Sequence, residues 1–221
     1  MPPSCRIRSA VRNAAAAAFA SLRSIGFTPS VDTVYLSSID NVGMEDESTR
    51  ERLITAGIEL LERDGMAAVG LRAITRHAGV SHGAPRRYFP THAALLAGIA
   101  ATGIADLNSR LAPVVAAPGA LAEMSVRYVD FAVERPEMFA LMFRHDLLEN
   151  SGANLRATTL PIFTSFANLV HHTNPHADPL AIFATIHGIA ALAASRAIRV
   201  FGTGGDLRQL VERSIHQQLS A

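Results

Sequence analysis

Apolar residues recur along this chain at intervals of three and four, the period of a helix, and no stretch shows the alternation of a half-buried strand. Leu53, Ile54, Gly57, Ile58 and Leu61 fall on one such face. Just before them Ser48-Thr49-Arg50-Glu51 reads as a capping box, in which hydroxyl and carboxylate satisfy orphan amides reciprocally. The first helix is therefore predicted from Ser48 towards Asp64, with Gly65 as its stop. Leu71, Ile74 and Ala78 make a second, short face that ends at Gly79, a residue free to take positive φ. Val80 then plugs the angle, and Ser81 is placed to cap a third helix. Two short helices joined by so tight a turn predict a helix-turn-helix, whose second helix enters the DNA major groove.

Beyond it, Thr91 is placed to cap a fourth helix carrying Leu95, Leu96, Ile99, Ile104 and Leu107 towards Pro113. Proline and glycine make residues 113–119 a linker. Helical patterns follow over Leu121–Glu134, from Glu137 after the break at Arg135-Pro136, over Leu155–His171, over Pro179–Phe201 and over Leu207–Leu219. Loops are expected at Glu149–Asn154, at Asn174-Pro175 and at Gly202–Gly205. The predicted fold is all-α: an N-terminal three-helix helix-turn-helix domain over residues 48–92, and a second helical domain over 93–221.

Charge sharpens the picture in one place. Overall it is close to neutral, with 20 basic and 19 acidic residues, and every basic residue is Arg. From Gly65 to Ala105 there is no Asp or Glu, while Arg72, Arg76, Arg86 and Arg87 are fixed cations. An acid-free surface of this kind lowers the cost of approaching a polyanionic duplex. Ser81, His82, Gly83 and Ala84 stand at the start of the third helix, where His82 can donate to a guanine or phosphate and Gly83 lets the backbone come close. Arg50, Arg86 and Arg87 complete the expected contacts from the flanks, and Tyr88 is expected either to join them or to pack its ring with Phe89 beneath the motif.

The run AGVSHGAPRRYFPTHAALL resembles the signature of the tetracycline-repressor (TetR) family, in which a Gly-Val-Ser turn opens the recognition helix. The likeness spans Thr49 to Leu96 and implies double-stranded operator DNA as partner. It departs from the pattern in four places. Arg86 and Tyr88 stand where the family has Tyr followed two residues later by His, His92 where Lys is common, and Gly70 where Thr is common. Gly70 then offers phosphate a backbone amide without a hydroxyl, and residues 86 and 92 offer a guanidinium and an imidazole. Pro85 occurs in a subset of the family and is expected to cost one helical hydrogen bond. Further on, RYVDFAVERPEMFALMFRHDLL and IHGIA resemble the regulatory domain of one TetR subgroup. The resemblance implies a homodimer joined by the last two helices, whose Ala181, Ala184, Gly188, Ala190, Ala191, Ala193 and Ala194 permit close approach.

Phe131, Met138, Phe139, Met142, Phe143, Phe163 and Phe166 are a soft apolar set suited either to a core or to a cavity for a hydrophobic small-molecule effector. His187 and Arg127 are its candidate polar anchors. The expected function is a ligand-released repressor on a palindromic operator; a DNA-binding activator or ligand-independent regulator is the alternative, and a helical binding protein without DNA the more distant one.

Other chemistries are set aside. No Gly-x-Ser-x-Gly elbow or reactive cysteine setting is present, and Gly202-Thr-Gly-Gly lacks the Lys of a phosphate loop, so neither an enzyme nor a cofactor is expected. His171, His172 and His176 are interrupted by Asn174-Pro175 and accompanied only by Asp178, which favours a polar loop over a metal site. One cysteine and no strongly apolar span suggest a reducing, cytoplasmic setting away from the membrane. Residues 1–47, with Arg6, Arg8, Arg12 and Arg23 among many alanines, are expected to be an extension that is disordered or precedes a true start at Met44; a basic DNA-wrapping arm is the alternative.

Overall fold

A computed structural model describes residues 36–149, 151–201 and 206–220, with side chains from Ser48 onward. The expectations for residues 1–35 and for the turn at 202–205 lie outside the described residues. The chain falls into two units, Met1–Met44 and Glu45–Ala221, and both candidate sites lie in the second.

The described residues form helices and turns, with no strand among them. Helix α1 spans Leu36–Asp64, α2 Leu71–Ala78, α3 Ala84–Tyr88, α4 His92–Leu111 and α5 Ala120–Glu134. Helices α6, Pro136–Met142, and α7, His145–Leu148, are short; α8 spans Arg156–Thr173, α9 Pro179–Ala194 and α10 Leu207–Leu219. Contrary to expectation, α1 does not start at Ser48. No proline separates Leu36 from Ser48, so nothing forces a break, and the expected cap lies inside a continuous helix. Pro179–Phe201 is likewise shorter than expected: α9 stops at Ala194, and Ala197–Phe201 is a 3-10 turn.

Other boundaries follow the local chemistry. Gly65 takes φ 77° after α1, the Thr91 hydroxyl accepts from the Ala94 amide at 3.0 Å, and Asp178 caps α9 through the Leu180 amide at 2.8 Å.

The buried side chains form one continuous cluster, from Leu53 on α1 to Ile215 on α10, with α4 through its middle. Two glycines let α4 approach its neighbours. A Cβ at Gly57 would lie 2.4 Å from Ile99 Cδ1, and one at Gly103 only 2.5 Å from Met138 Sδ. Helix α4 is thus packed against α1 at one end and α6 at the other, the feature that later links the two candidate sites.

Candidate nucleic-acid interface and ligand cavity

The turn between α2 and α3 is built as its residues require. Gly79 closes α2 in the left-handed region, φ 64° and ψ 36°, and its amide reaches the carbonyls of Arg76 and Thr75. Arg52 of α1 donates from Nη2 to the carbonyls of Ala78 at 2.7 Å and Gly79 at 3.2 Å. Those are orphan acceptors at a helix C-terminus, where a cation is favoured twice over, by hydrogen bonding and by the dipole. Arg52 therefore braces the turn, while Thr75, buried, returns its hydroxyl to Leu71 at 2.7 Å.

Helix α3 differs from expectation. It begins at Ala84 with Gly83 as cap, and Ser81 gives its carbonyl, not its hydroxyl, to the Ala84 amide at 3.0 Å. Pro85 is the reason: its ring presets φ and it lacks an N–H, so it belongs in a first turn, where no helical hydrogen bond is sacrificed. The proline is also buried, so the start of α3 is anchored on the core. Ser81, His82 and Gly83 consequently form an exposed turn ahead of one and a half turns of helix, with Ala84 half-buried behind them and Arg86 and Arg87 exposed beyond. Tyr88 is half-buried against the core beside buried Phe89. Arg72 and Arg76 are exposed on α2, and Arg50 is exposed with its guanidinium 5.4 Å from the Phe89 ring centre.

Two expected phosphate donors are already engaged. His92 Nε2 lies 2.7 Å from the Val69 carbonyl, which can only accept, so that nitrogen carries its proton to Val69 and ties the start of α4 to the segment before α2. The Gly70 amide donates to Ala68 at 2.9 Å, so it is not an unclaimed donor as expected from the sequence.

A cavity of about 250 Å³ opens among α4, α5, α6, α7, α8 and α9. Met142, Phe143, Phe163 and Phe166 line it, as expected. Five other expected wall residues do not. Phe131 is fully buried elsewhere, with Arg110 and Arg135 at 5.2 and 5.8 Å from its ring centre. Met138 fills the space above Gly103, and Phe139 packs edge-on to Tyr128 at 5.5 Å between centroids. Arg127 donates to Glu123 at 2.8 Å and to the Arg110 carbonyl at 3.0 Å, so it is no ligand anchor. His187 reaches the cavity only through Tyr128, whose hydroxyl lies 2.8 Å from His187 Nδ1.

The wall also includes Ile104, Leu107 and Leu111 of α4, Met124, Ser125 and Tyr128 of α5, His145, Thr159, Leu160 and Ile162, and Phe183 and Ile186 of α9. The spacing of the α4 residues announces a buried face, but nothing in it says that part of the facing volume is empty. Burial pushes the Tyr128 phenol well above the usual tyrosine range and His187 below the usual histidine value, so the pair is neutral near pH 7.

Two family comparisons coincide with these two regions. Residues 53–99 match the family described as bacterial regulatory proteins, tetR family, and residues 121–217 match the tetracyclin repressor-like C-terminal domain. The chain belongs to the TetR family. It is accordingly a DNA-binding transcriptional regulator and not an enzyme. No curated protein matches this TetR-family chain. Solved structures do. A Rhodococcus sp. RHA1 protein of unknown function is 26% identical at TM-score 0.65, over 78% of this chain and 94% of its own. A TetR-like transcriptional regulator from the same organism is 14% identical at TM-score 0.59, over 78% and 96%. The fatty acid degradation regulator FadR from Bacillus halodurans is 12% identical at TM-score 0.58, over 77% and 94%. At 14% and 12% identity the last two establish shared fold alone.

One more surface completes the TetR-family chain. Leu180, Ala181, Ala184, Ala191 and Leu192 of α9 are exposed, and a Cβ at Gly188 would meet nothing within 4 Å. Among the described residues no helix is long and apolar enough to cross a membrane, and no group of three or more His, Cys, Asp or Glu could hold a metal ion.

Proposed function

We propose that this regulator is a homodimeric repressor that holds a palindromic operator and releases it when a hydrophobic small molecule fills the cavity. The supporting observation is the course of α4. Its first residue, His92, is bonded to Val69 beside the helix-turn-helix, and its Ile104, Leu107 and Leu111 form a wall of the cavity. One packed rod therefore touches both sites, so displacement of the wall is carried to the head. The ligand acts only if it binds the DNA-incompetent conformer more tightly than the competent one.

In this proposal residues 48–92 are the reading head and residues 93–221 the regulatory domain. Ser81, His82, Gly83 and Arg87 face the bases, with the half-buried Ala84 and Tyr88 beneath them, and Arg50, Arg72 and Arg86 lie along the phosphates, while Gly70 and His92 shape the backbone between them through their bonds to Ala68 and Val69. The exposed small-residue face of α9 meets its copy across a two-fold axis, placing two heads about one DNA turn (~34–36 Å) apart.

The test is selection from random duplex DNA with the full chain, followed by titration of the enriched site over salt. The proposal expects a palindrome, two protomers per site, and displacement by apolar compounds that raise the melting temperature. Binding with no sequence preference after selection would refute the operator; tight binding that no such compound weakens would refute ligand release.

A further inference from the structure

The cavity wall has an uneven distribution of polar groups, and that unevenness defines what can enter. It contains no Arg, Asp or Glu, and Lys is absent from the chain. The nearby guanidinium groups are turned away: Arg127 to Glu123, and Arg144 to Asp146 at 2.8 and 2.7 Å. Two wall hydroxyls are committed to carbonyls of their own helices, Ser125 to Leu121 at 2.7 Å and Thr159 to Leu155 at 3.3 Å. His145 stands at the exposed rim. The one polar pair set within the apolar wall is Tyr128 with His187, enclosed by Phe139, Phe143 and Phe183.

This pair has a property that a lone hydroxyl lacks. A phenol and a neutral imidazole can share their hydrogen in either sense, so the phenol oxygen can present the cavity with a lone pair or, after reversal, with its O–H. A full negative charge has no permanent cation in the wall, whose one other titratable side chain, His145, stands at the solvent-exposed rim, and burying the charge unpaired is costly.

Resting on the proposal that this cavity binds the effector, we infer that the effector is an uncharged, compact apolar molecule with a single hydroxyl or carbonyl held by the Tyr128–His187 pair, and that carboxylates are excluded. At about 250 Å³ the cavity lies just below the roughly 300–1,000 Å³ of common ligand sites, which suits a small effector.

Three probes on one butylbenzene frame test this: 4-butylphenol, butylbenzene and 4-butylbenzoate, titrated calorimetrically into the full-length wild type, Tyr128→Phe and His187→Asn. The phenol is expected to bind roughly three- to tenfold more tightly than butylbenzene, the range of one net hydrogen bond, and the benzoate weakest. Tyr128→Phe should abolish the advantage of the phenol while leaving butylbenzene unchanged. His187→Asn, whose amide also donates and accepts, should keep it. A purely structural role for Tyr128 would weaken both probes alike. Benzoate binding as tightly as the phenol, or a phenol advantage that survives Tyr128→Phe, overturns the inference while leaving the cavity an apolar ligand site. If none of the three binds, the cavity proposal itself falls, and this inference with it.

Discussion

Arg135 Nε donates to Glu62 Oε1 at 2.6 Å, joining the residue that caps α6 to the last turn of α1. The same guanidinium reaches Asp106 of α4 at 2.6 Å, and Asp106 in turn accepts from Arg110, which also pairs with Glu134. With its side chain 18% exposed, Arg135 is far better shielded than an ordinary surface pair. Arg135→Gln is expected to destabilise the fold by about 1 kcal/mol, since it takes the guanidinium from the partly exposed Glu62 while Asp106 keeps Arg110. A double-mutant cycle with Glu62→Gln in urea denaturation should return a coupling of roughly 1 kcal/mol. Strict additivity of the two substitutions would show that the pair contributes nothing. Because the bridge runs from α1 to the element beside the cavity, Arg135→Gln should also blunt displacement of DNA by whatever ligand is found.

Gly57 and Ile99 define the contact of α1 with α4. An added methyl at Gly57 would stand 2.4 Å from Ile99 Cδ1, well inside any contact distance. Gly57→Ala gains up to about 1 kcal/mol of helix propensity yet forces an overpacking cost of about 1–3 kcal/mol, so a net loss of about 1 kcal/mol is expected. Ile99→Val removes the offending carbon, and the pair Gly57→Ala with Ile99→Val should recover part of that loss. Thermal melts of the three variants decide it; a double variant less stable than both singles would place the strain elsewhere.

The elements that local chemistry controls were legible in the sequence, and those that tertiary packing controls were not. Thr91 caps α4 and Gly79 takes positive φ because each has one neighbourhood to satisfy. Ser81 is as good a cap by composition, but the buried Pro85 sets the start of α3, and burial of a proline ring has no periodic signature. The Gly70 amide and the His92 ring read as open donors until Ala68 and Val69 are folded against them. At the cavity, the abundance of Met and Phe was informative, whereas the division between wall and core was not. Phe131 and Phe163 look alike in sequence, and only the arginines around the first tell them apart. Tyr128 carries no signal of its own in the sequence: its buried polar tip needs a partner, and only the fold brings His187, 59 residues on, within 2.8 Å of it.

His187 also gives the fold a defined pH dependence. Its burial holds the folded-state value below the ordinary 6.5, so the unfolded chain takes up a proton first as the medium is acidified. The contribution is therefore fully present above about pH 6.5 and is lost as pH falls from there through the folded-state value. Stability measured by urea denaturation should decline over that window in the wild type, and His187→Asn should flatten the decline. An identical slope in the variant would assign it to other groups.

Arg86, next to the buried Pro85 on α3, is exposed. If it lies on phosphate, Arg86→Ala weakens binding to all DNA sequences alike and lowers the slope of log affinity against log salt by about 0.9. If instead it reads a base edge, the loss is confined to the selected site, at about 1–3 kcal/mol for a bidentate contact. An unchanged slope together with unchanged site preference would remove it from the interface.

The proposed dimer rests on the outer face of α9, and Ala184 is exposed on it. Across a two-fold axis each residue near the centre faces a copy of itself or of a close neighbour, so Ala184→Arg sets cations against one another in a surface that needs small side chains. The substitution adds a solvent-facing charge to an isolated protomer and should leave its helix content and melting cooperativity intact. Sedimentation should then show a monomer where the wild type is a dimer. Operator affinity should fall towards that of unselected DNA, because one short recognition element covers too few base pairs to be specific. A variant that remains dimeric would exclude this face as the interface, while a monomer that keeps full operator affinity would show that a single head suffices and that the palindrome is not required.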